Sequence, residues 1–345
     1  MIPAASLGRR PRLPAALATV PLVAISLLTG CTGGTPSTPA MPQQWAQVKS
    51  RAHGTRANCP CLYVPNFYGD SVTVYKSGAR GDATPVQDIS GTSTDLDEPE
   101  AVAVDANANI YVANWDSNTI TVYSAGANGN ITPKQILSGS NTGLSKPSGV
   151  AIDPLNDGIL YVANSGNDSI TLYSTQAYGN EPPLGIIQGL KTGLGQPQGI
   201  ALDSADNLYV ANYSSSSVTV YPYGNQTGNV APSQMISGYN TDLSWPTQVA
   251  VDSSQNIYVA NGGGTSVTVY AAGANGNVSP IQYIYGNKTK MDSSIGVALD
   301  SSRDIYVSAY EVLEYAAGAS GNVAPLHEIK GSKTGLDYPY NTVIR

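Results

Sequence analysis

The feature that most constrains this chain is a short motif that returns six times at nearly constant spacing. It consists of an aliphatic residue, a tyrosine and a valine, followed in most copies by a small residue and an asparagine. Successive copies are 48 to 50 residues apart, with the tyrosines at Tyr63, Tyr111, Tyr161, Tyr209, Tyr258 and Tyr306. A fixed period of this length indicates a repeat architecture, in which each unit packs against its neighbours.

Each unit divides into four short runs with β-strand character. In the second unit they begin at Ala101, Ile110, Thr119 and Lys134. The runs are rich in Val, Ile, Thr and Tyr and are bounded by Asn, Asp, Gly and Pro, as is typical of strands joined by tight turns. Because the first two runs are almost continuously apolar, both of their faces must be covered. The pattern predicts an all-β, six-bladed β-propeller with four antiparallel strands per blade.

The two ends of the repeat region are offset by one strand. The body opens at Leu62 with what is the second strand of the other units, whereas the last innermost strand follows Pro339. We therefore predict that Tyr340 to Arg345 completes the first blade and closes the ring. Closure would remove the open sheet edge that otherwise invites aggregation.

Residues 1–30 have the pattern of a signal peptide. Arg9, Arg10 and Arg12 precede a short apolar stretch, which is the arrangement of an export signal. The ending Leu28-Thr29-Gly30-Cys31 resembles the bacterial lipobox, in which cleavage precedes a cysteine that is then acylated. The resemblance implies a lipid anchor at Cys31, and an ordinary secretory signal is the alternative.

The predicted organisation has three parts. After the signal peptide, residues 31–58 lack periodic apolar positions and are expected to form a flexible tether. Residues 59–345 form the propeller. These features predict an extracytoplasmic protein of the bacterial cell envelope, held to the membrane by acyl chains at Cys31, with a monomeric body.

The charge of the chain argues against nucleic acid as a partner. The first 30 residues hold three of the 17 basic residues and none of the 24 acidic ones, so the remainder has a formal charge of −10. Such a chain repels phosphate backbones.

Two of the units carry a family resemblance. Pro147-Ser148-Gly149-Val150-Ala151-Ile152-Asp153 with Leu160-Tyr161-Val162-Ala163-Asn164, and the corresponding segments at 197–203 and 207–212, resemble NHL-type propeller repeats. The likeness covers residues 62–345. Propellers of this type include protein-binding modules, peptide-processing lyases and gluconolactonase-like metal enzymes, so the resemblance implies a fold more than a function.

Groups for acid–base or redox chemistry are sparse. The histidines are His53, in the tether, and His327, near an outer strand, so a histidine-dependent triad cannot be assembled on the ring. Cys59-Pro60-Cys61 is a poor metal site and would form a strained disulfide ring. The sequence leaves its redox state open.

Polar residues near the predicted channel have two interpretations. The asparagines that close the second strands could face the channel together with Glu100 and bind a ligand, or they could serve each blade by bonding loop backbone, which we favour. These asparagines are Asn66, Asn114, Asn164, Asn212 and Asn261. No cofactor is expected, although the acidic run 95–100 leaves Ca²⁺ or another divalent cation open.

Aromatic residues differ from unit to unit and fall on one predicted rim. They occupy the loops after the second strands and the loops that enter the innermost strands, as Phe67, Trp115, Tyr213, Trp245, Tyr310, Tyr338 and Tyr340. Exposed aromatic side chains offer large, rigid contact area to sugars and proteins. The sequence therefore predicts a protein- or glycan-binding or scaffold module and favours this role over that of an enzyme.

The alternative is a metal-dependent, lactonase-like hydrolase with a site over the central channel. Its cation would be held by Glu100, Asn164 and Asn212. The residues that follow the opening proline of each innermost strand include one carboxylate in six, which is little support for divalent coordination.

Overall fold

A computed structural model describes residues 61–153, 158–293 and 295–345. The predicted signal peptide, Cys31, Cys59 and the tether lie outside the described residues. The described chain forms 24 β-strands in six four-stranded antiparallel sheets, with one 3-10 turn at Tyr239–Thr241. No described helix is long and apolar enough to cross a membrane. The predicted six-bladed β-propeller is confirmed.

The first three blades take their strands in chain order, except that the innermost strand of blade 1 comes from the C-terminus. Their strands are β1 Cys61–Asn66, β2 Ser71–Lys76, β3 Gln87–Ser90, β4 Pro99–Val104, β5 Ile110–Asn114, β6 Thr119–Tyr123, β7 Gln135–Leu137, β8 Pro147–Ile152, β9 Ile159–Asn164, β10 Ser169–Ser174 and β11 Gly185–Gln188.

Blades 4 to 6 repeat the order from the innermost strand outward, and the last strand returns to blade 1. These strands are β12 Pro197–Leu202, β13 Leu208–Asn212, β14 Ser217–Tyr221, β15 Gln234–Ser237, β16 Pro246–Val251, β17 Ile257–Asn261, β18 Ser266–Tyr270, β19 Gln282–Ile284, β20 Gly296–Leu299, β21 Ile305–Ser308, β22 Val312–Tyr315, β23 His327–Ile329 and β24 Val343–Ile344.

The hydrophobic core lies between the blades. Val102 and Val104 of blade 2 pack with Val72 and Val74 of blade 1, and equivalent clusters join each described pair of neighbours. The last cluster joins Leu62 and its neighbours in blade 1 to Tyr306 and Val312 of blade 6. Because the second strands are covered on both faces, they are buried along almost their whole length.

The ring closes through the C-terminal strand, as predicted. Val343 and Ile344 pair with Tyr63 and Leu62. The amide of Arg345 donates to the Cys61 carbonyl at 3.0 Å, and the Cys61 amide donates to the Arg345 carbonyl at 2.7 Å. Blade 1 therefore receives its innermost strand from the opposite end of the chain.

A buried tyrosine at the end of each third strand ties its blade to a preceding loop. Its hydroxyl donates to the carbonyl of a threonine, as in Tyr123 with Thr94. The six pairs are Tyr75–Thr334, Tyr123–Thr94, Tyr173–Thr142, Tyr221–Thr192, Tyr270–Thr241 and Tyr315–Thr289. The pair of Tyr75 with Thr334 joins the two ends of the chain, so closure does not depend on β24 alone.

An aspartate side chain accepts backbone amides in the turn between the first and second strands. Asp203 Oδ1 accepts the amides of Ala205 and Asn207, both at 2.9 Å. Asp206, the residue before Asn207, adopts a left-handed conformation in this turn. The equivalent residue of blade 5 is Gln255, whose Nε2 donates to Asp203 Oδ2 of blade 4 at 2.9 Å. An amide thus bridges two blades at this position.

Blade 4 carries an acid where blade 5 carries that glutamine. Asp206 is buried and lies beside Asp153 of blade 3. Burial, followed by the charge of Asp153, raises the pKa of Asp206 to about 7. The seam between blades 3 and 4 therefore holds two carboxyl groups where the next seam holds an amide and a carboxylate.

Removing Tyr340–Arg345 should destabilise the whole ring. The deletion breaks the β24 pairing and exposes the edge of β1, at about 0.5–1.5 kcal/mol for each lost hydrogen bond. Thermal unfolding should show a large drop in melting temperature. As a control, the six residues are moved to the N-terminal side of Cys61 through a short turn, which should restore stability because Arg345 and Cys61 are adjacent. A truncated protein that melts like the full chain would refute closure.

Asp206→Gln should remove a pH-dependent loss of stability. The folded-state pKa of Asp206, about 7, lies above its ordinary value of 3.8. The contribution of Asp206 to the free energy of unfolding is therefore fully present below pH 3.8 and is lost as pH rises through 7. Denaturant unfolding between about pH 5 and pH 8 should show the wild type losing stability relative to the variant.

The matched control for this pH effect is Gln255→Asp, which places an acid against Asp203 in the next seam. This variant should acquire a similar loss of stability with rising pH. Parallel pH profiles for wild type and Asp206→Gln would contradict the assignment.

Candidate functional site

In five of the six blades, the asparagine that ends the second strand holds the loop that enters the innermost strand. Asn212 Nδ2 donates to Thr219 Oγ1 at 3.0 Å, while its Oδ1 accepts the Gly195 amide at 3.2 Å. The same two contacts recur at Asn66, Asn114, Asn164 and Asn261. All five side chains are buried within their blades. Their contacts support the structural role weighed above.

The residue before the opening proline of the innermost strand has a left-handed backbone in five blades. The φ angles lie between 46° and 56° for Glu98, Lys146, Gln196, Trp245 and Tyr338. This conformation costs a non-glycine residue about 1–2 kcal/mol. The carbonyl of each of these residues accepts a hydrogen bond from the backbone amide of the residue that follows the second-strand asparagine. For example, the Trp115 amide donates to the Glu98 carbonyl at 3.1 Å.

Two variable positions per blade are therefore held side by side on one face of the ring. In blade 1 they carry Phe67 and Tyr338, and in blade 5 they carry Gly262 and Trp245. The expectation that these two sets of loops share a face is confirmed. The scaffold is constant, whereas the side chains that it presents change from blade to blade.

Aromatic rings from blades 1, 2 and 6 form one continuous cluster on this face. Phe67 stacks on Tyr340 with ring centroids 5.2 Å apart and lies 6.3 Å from Trp115. Tyr338 contacts Phe67, Tyr340 and Tyr310, the last at 5.4 Å. Five of the predicted rim residues are thereby brought together.

The remaining two predicted rim residues form a separate pair. Tyr213 stacks on Trp245 at 5.7 Å and 29°. The Tyr213 hydroxyl is close enough to Tyr340 to contribute to its raised pKa, although burial is the main cause and Glu100 the second. We call the seven predicted residues together with Tyr68 the aromatic face. Tyr68, Trp245 and Tyr310 are 66%, 54% and 60% exposed.

Acidic residues are interleaved with the rings between blades 1 and 2. Asp70 Oδ1 accepts the Glu98 amide at 2.8 Å. Asp97 lies beside Glu98 in the loop that enters β4, and Asp116 lies in the loop between β5 and β6. Burial, and then the charges of Asp116, Asp97 and Asp70, raise the pKa of Glu98. We call Asp70, Asp97, Glu98 and Asp116 the acidic loops.

Glu100 lies at the mouth of the channel, beside Tyr340. Its side chain is 3% exposed, and its Oε2 has no hydrogen-bond partner among the described residues. Burial, and then the charge of Glu98, raise the pKa of Glu100 well above its usual range, while Lys146 opposes the shift. Burial thus favours the protonated form of this carboxyl group.

Just inside the mouth, the innermost strands approach each other closely. A Cβ on Gly149 would lie 2.2 Å from the Gln198 carbonyl oxygen, and a Cβ on Gly199 would lie 1.6 Å from Gln248 Oε1. Asn341 Nδ2 reaches the Ser148 carbonyl at 3.0 Å. Gly149 allows the Gln198 backbone to approach and Gly199 leaves space for the Gln248 side chain, so the channel is narrow at this level.

Farther along the innermost strands the channel widens into a cavity of about 310 Å³. Its lining is mainly aliphatic and includes equivalent residues of all six blades, namely Ala103, Ala151, Ala201, Ala250, Ala298 and Val343. This cavity lies toward the end of the channel opposite the aromatic face.

Three contributors to the site escaped the sequence analysis. Tyr68 contacts Phe67 at 5.1 Å and Tyr338 at 4.9 Å. Lys146 places its Nζ 3.8 Å from the centroid of the Trp115 ring. Asn341 reaches Ser148 from another blade. Aligning the six units would have placed Lys146 at the same position as Trp245 and Tyr338, but its contact with Trp115 depends on the packing of adjacent blades.

The residues predicted for a cation over the channel do not come together. The amides of Asn164 and Asn212 are bonded inside their blades. Glu100 is the one carboxylate among the six mouth residues, which include Ser148 and Gln198. Within the described ranges, no group of three His, Cys, Asp or Glu residues is placed to hold a metal. These residues do not fit the oxygen-rich set that a divalent ion requires.

Solved structures with the same fold come from proteins of different kinds. A protein of unknown function from Bacteroides caccae has a TM-score of 0.59 and 12% identity, covering 83% of this chain and 99% of that one. A nidogen/laminin complex gives 0.59 and 14%, with coverages of 83% and 98%. A catalytically inactive virginiamycin B lyase from Staphylococcus aureus with quinupristin gives 0.54 and 8%, with 76% and 80%. At these identities the likeness shows the fold alone.

The sequence itself matches one family. No curated protein sequence matches the chain, whereas residues 35–241 match the family described as Lactonase, 7-bladed beta-propeller. The described residues form six blades, one fewer than that description. Because the match covers more than half of the chain, the protein belongs to the Lactonase, 7-bladed beta-propeller family.

Proposed function

We propose that this protein is a binding module that holds a protein or glycan ligand on the aromatic face. One observation carries the proposal: a repeated scaffold presents two variable positions per blade, and in three adjacent blades these positions bring aromatic rings into contact. Aromatic side chains supply large contact area with little loss of conformational entropy, which is why they dominate binding hot spots.

The partial exposure of the rings supports this function. Tyr68, Trp245 and Tyr310 remain more than half exposed although each touches another ring. A cluster that served only the fold would gain by covering them. An exposed apolar patch of several contacting rings is typical of an interaction surface.

The placement of the module in the cell is part of the proposal. The N-terminal pattern supports export and acylation at Cys31, with residues 31–58 as a tether, so that a monomeric NHL-type propeller stands outside the cytoplasm on a membrane anchor. The mature charge of −10 supports a partner other than nucleic acid.

A lactonase-like hydrolase is the second candidate, and the family match is the observation that favours it. Glu100 is the carboxyl group that we would assign to hydrolysis, because it is buried at the channel mouth and burial favours its protonated form. Hydrolysis of simple lactones by the full chain, lost in Glu100→Gln, would support the enzyme. Equal turnover by wild type and variant would remove Glu100 from that role.

Replacing Trp115 and Trp245 together by Ala should weaken ligand capture by about tenfold or more, because both rings belong to the proposed surface. Binding is measured by screening the full chain against immobilised neutral oligosaccharides and peptides. Melting temperature should change little, since neither ring is fully buried.

The control for this screen is Tyr178→Ala. Tyr178 is 65% exposed and follows a third strand, in a loop outside the aromatic face. Its loss should leave capture unchanged. Capture that survives the double tryptophan substitution would contradict the proposed surface.

A further inference from the structure

The part of the aromatic face between blades 1 and 2 is strongly acidic. Burial, and then the charges of Asp116 and Asp70, raise the pKa of Asp97, and the same neighbours act on Glu98. Carboxylates whose charges raise the pKa of a neighbouring acid lack enough nearby cations to balance them. A ligand that brought positive charge to this place would relieve the repulsion.

Lys146 shows how a positive charge is accommodated there. Its Nζ lies 3.8 Å from the centroid of the Trp115 ring, within the range of a cation–π interaction. The same ammonium group lowers the pKa of Glu98 and of Glu100, so it lies in the field of both carboxyl groups. The molecule thus already holds one ammonium group against an aromatic ring of this surface and in the field of its carboxyl groups.

The buried carboxyl group of Glu100 is a second feature that points to a ligand, and it lies outside the acidic loops. It belongs to the innermost strand β4 and not to a loop, and its buried Oε2 has no partner among the described residues. A buried polar atom without a partner costs about 1–3 kcal/mol and is rare in folded proteins unless a ligand or water completes it. The charge of Glu100 acts on the hydroxyl of Tyr340, and Tyr340 is stacked on Phe67, so the carboxyl group lies near the aromatic cluster.

We propose that the surface formed by Phe67, Trp115, Tyr340, Glu98 and Glu100 binds the ammonium group of a lysine side chain presented by a basic segment of a partner protein. The inference rests on the proposed binding function and names its ligand. The ring faces attract a cation through their quadrupoles, and the carboxyl groups supply the opposite charge. A neutral glycan would stack on the aromatic rings but would bring no positive charge to balance the carboxylates of the acidic loops.

The probe is a short capped peptide of alternating glycine and lysine, compared with the same peptide acetylated at every lysine Nε. Both are titrated calorimetrically into the full chain at low and at high salt. The lysine peptide should bind, should weaken as salt screens the charges, and should bind about tenfold or more tightly than the acetylated peptide. Equal binding of the two peptides would overturn the ammonium assignment.

Lys146→Gln provides a test in the opposite direction. Removing the internal ammonium group frees the Trp115 face and removes a like charge, so affinity for the lysine peptide should rise severalfold. Lys191→Gln is the matched control, because Lys191 is exposed and has no aromatic contact among the described residues. A loss of affinity in Lys146→Gln, or an equal gain in both variants, would contradict the proposal.

Glu100→Gln tests the buried carboxyl group through protons. Because burial holds Glu100 toward its protonated form, a bound ammonium group should drive the proton off. The heat of binding by wild type should then depend on the ionisation enthalpy of the buffer, whereas the variant should show no such dependence and about tenfold weaker binding. Proton release that is the same in both proteins would remove Glu100 from the site.

The controls separate this inference from the proposed function. Each variant is checked by thermal unfolding, so that loss of binding is read only from folded protein. If a neutral oligosaccharide binds and depends on Trp115 and Trp245 while the lysine peptide does not bind, the ammonium inference fails and the binding function stands. If the aromatic double variant retains every ligand, both fail.

Discussion

The pairing of β24 with β1 is the constraint on which the rest of the structure depends. Each blade buries its apolar faces against two neighbours, so an open arc would leave one such face and one strand edge in water. Val343 and Ile344 supply the missing strand of blade 1. The Tyr75–Thr334 hydrogen bond joins the two ends of the ring in the same way as the equivalent tyrosine–threonine bonds join the other blades. Closure also brings Tyr338 and Tyr340 beside Phe67. The aromatic cluster of blades 1, 2 and 6 therefore forms only in the closed ring, because Phe67 is contributed by the first blade and Tyr338 and Tyr340 by the C-terminal segment.

The residues that stabilise the ring are different from the residues that it presents to solvent at the aromatic face. The asparagine–threonine pairs and the hydrogen-bonded loop pairs recur in five blades and fix the backbone at one face. Because the backbone is fixed by these contacts, the two displayed positions can change without loss of the fold. In this protein they carry aromatic rings and acids on one side of the face and small or polar residues at Ser165 and Gly262. This asymmetry is what gives a symmetric scaffold a localised site.

Much of the fold and part of the site could be predicted from the repeat. The period gave the six blades, the offset of the ends gave the closing strand, and the alignment of loops gave the seven rim aromatics. Other features could not be predicted because they join side chains of different blades. The packing of Lys146 on Trp115, the reach of Asn341 to Ser148 and the meeting of Asp206 with Asp153 depend on distances between units that no period in the sequence reports.

The sequence by itself determined the architecture, because strand patterning and a constant repeat length are local properties that each unit carries whole. It also determined which positions vary, since these are visible when the units are compared. Only the tertiary structure decided what the asparagines do, how narrow the channel mouth is and that Glu100 is buried without a hydrogen-bond partner for its Oε2. The physical reason is that burial and electrostatic neighbours depend on how the blades pack around the axis, and that packing is a property of the whole ring.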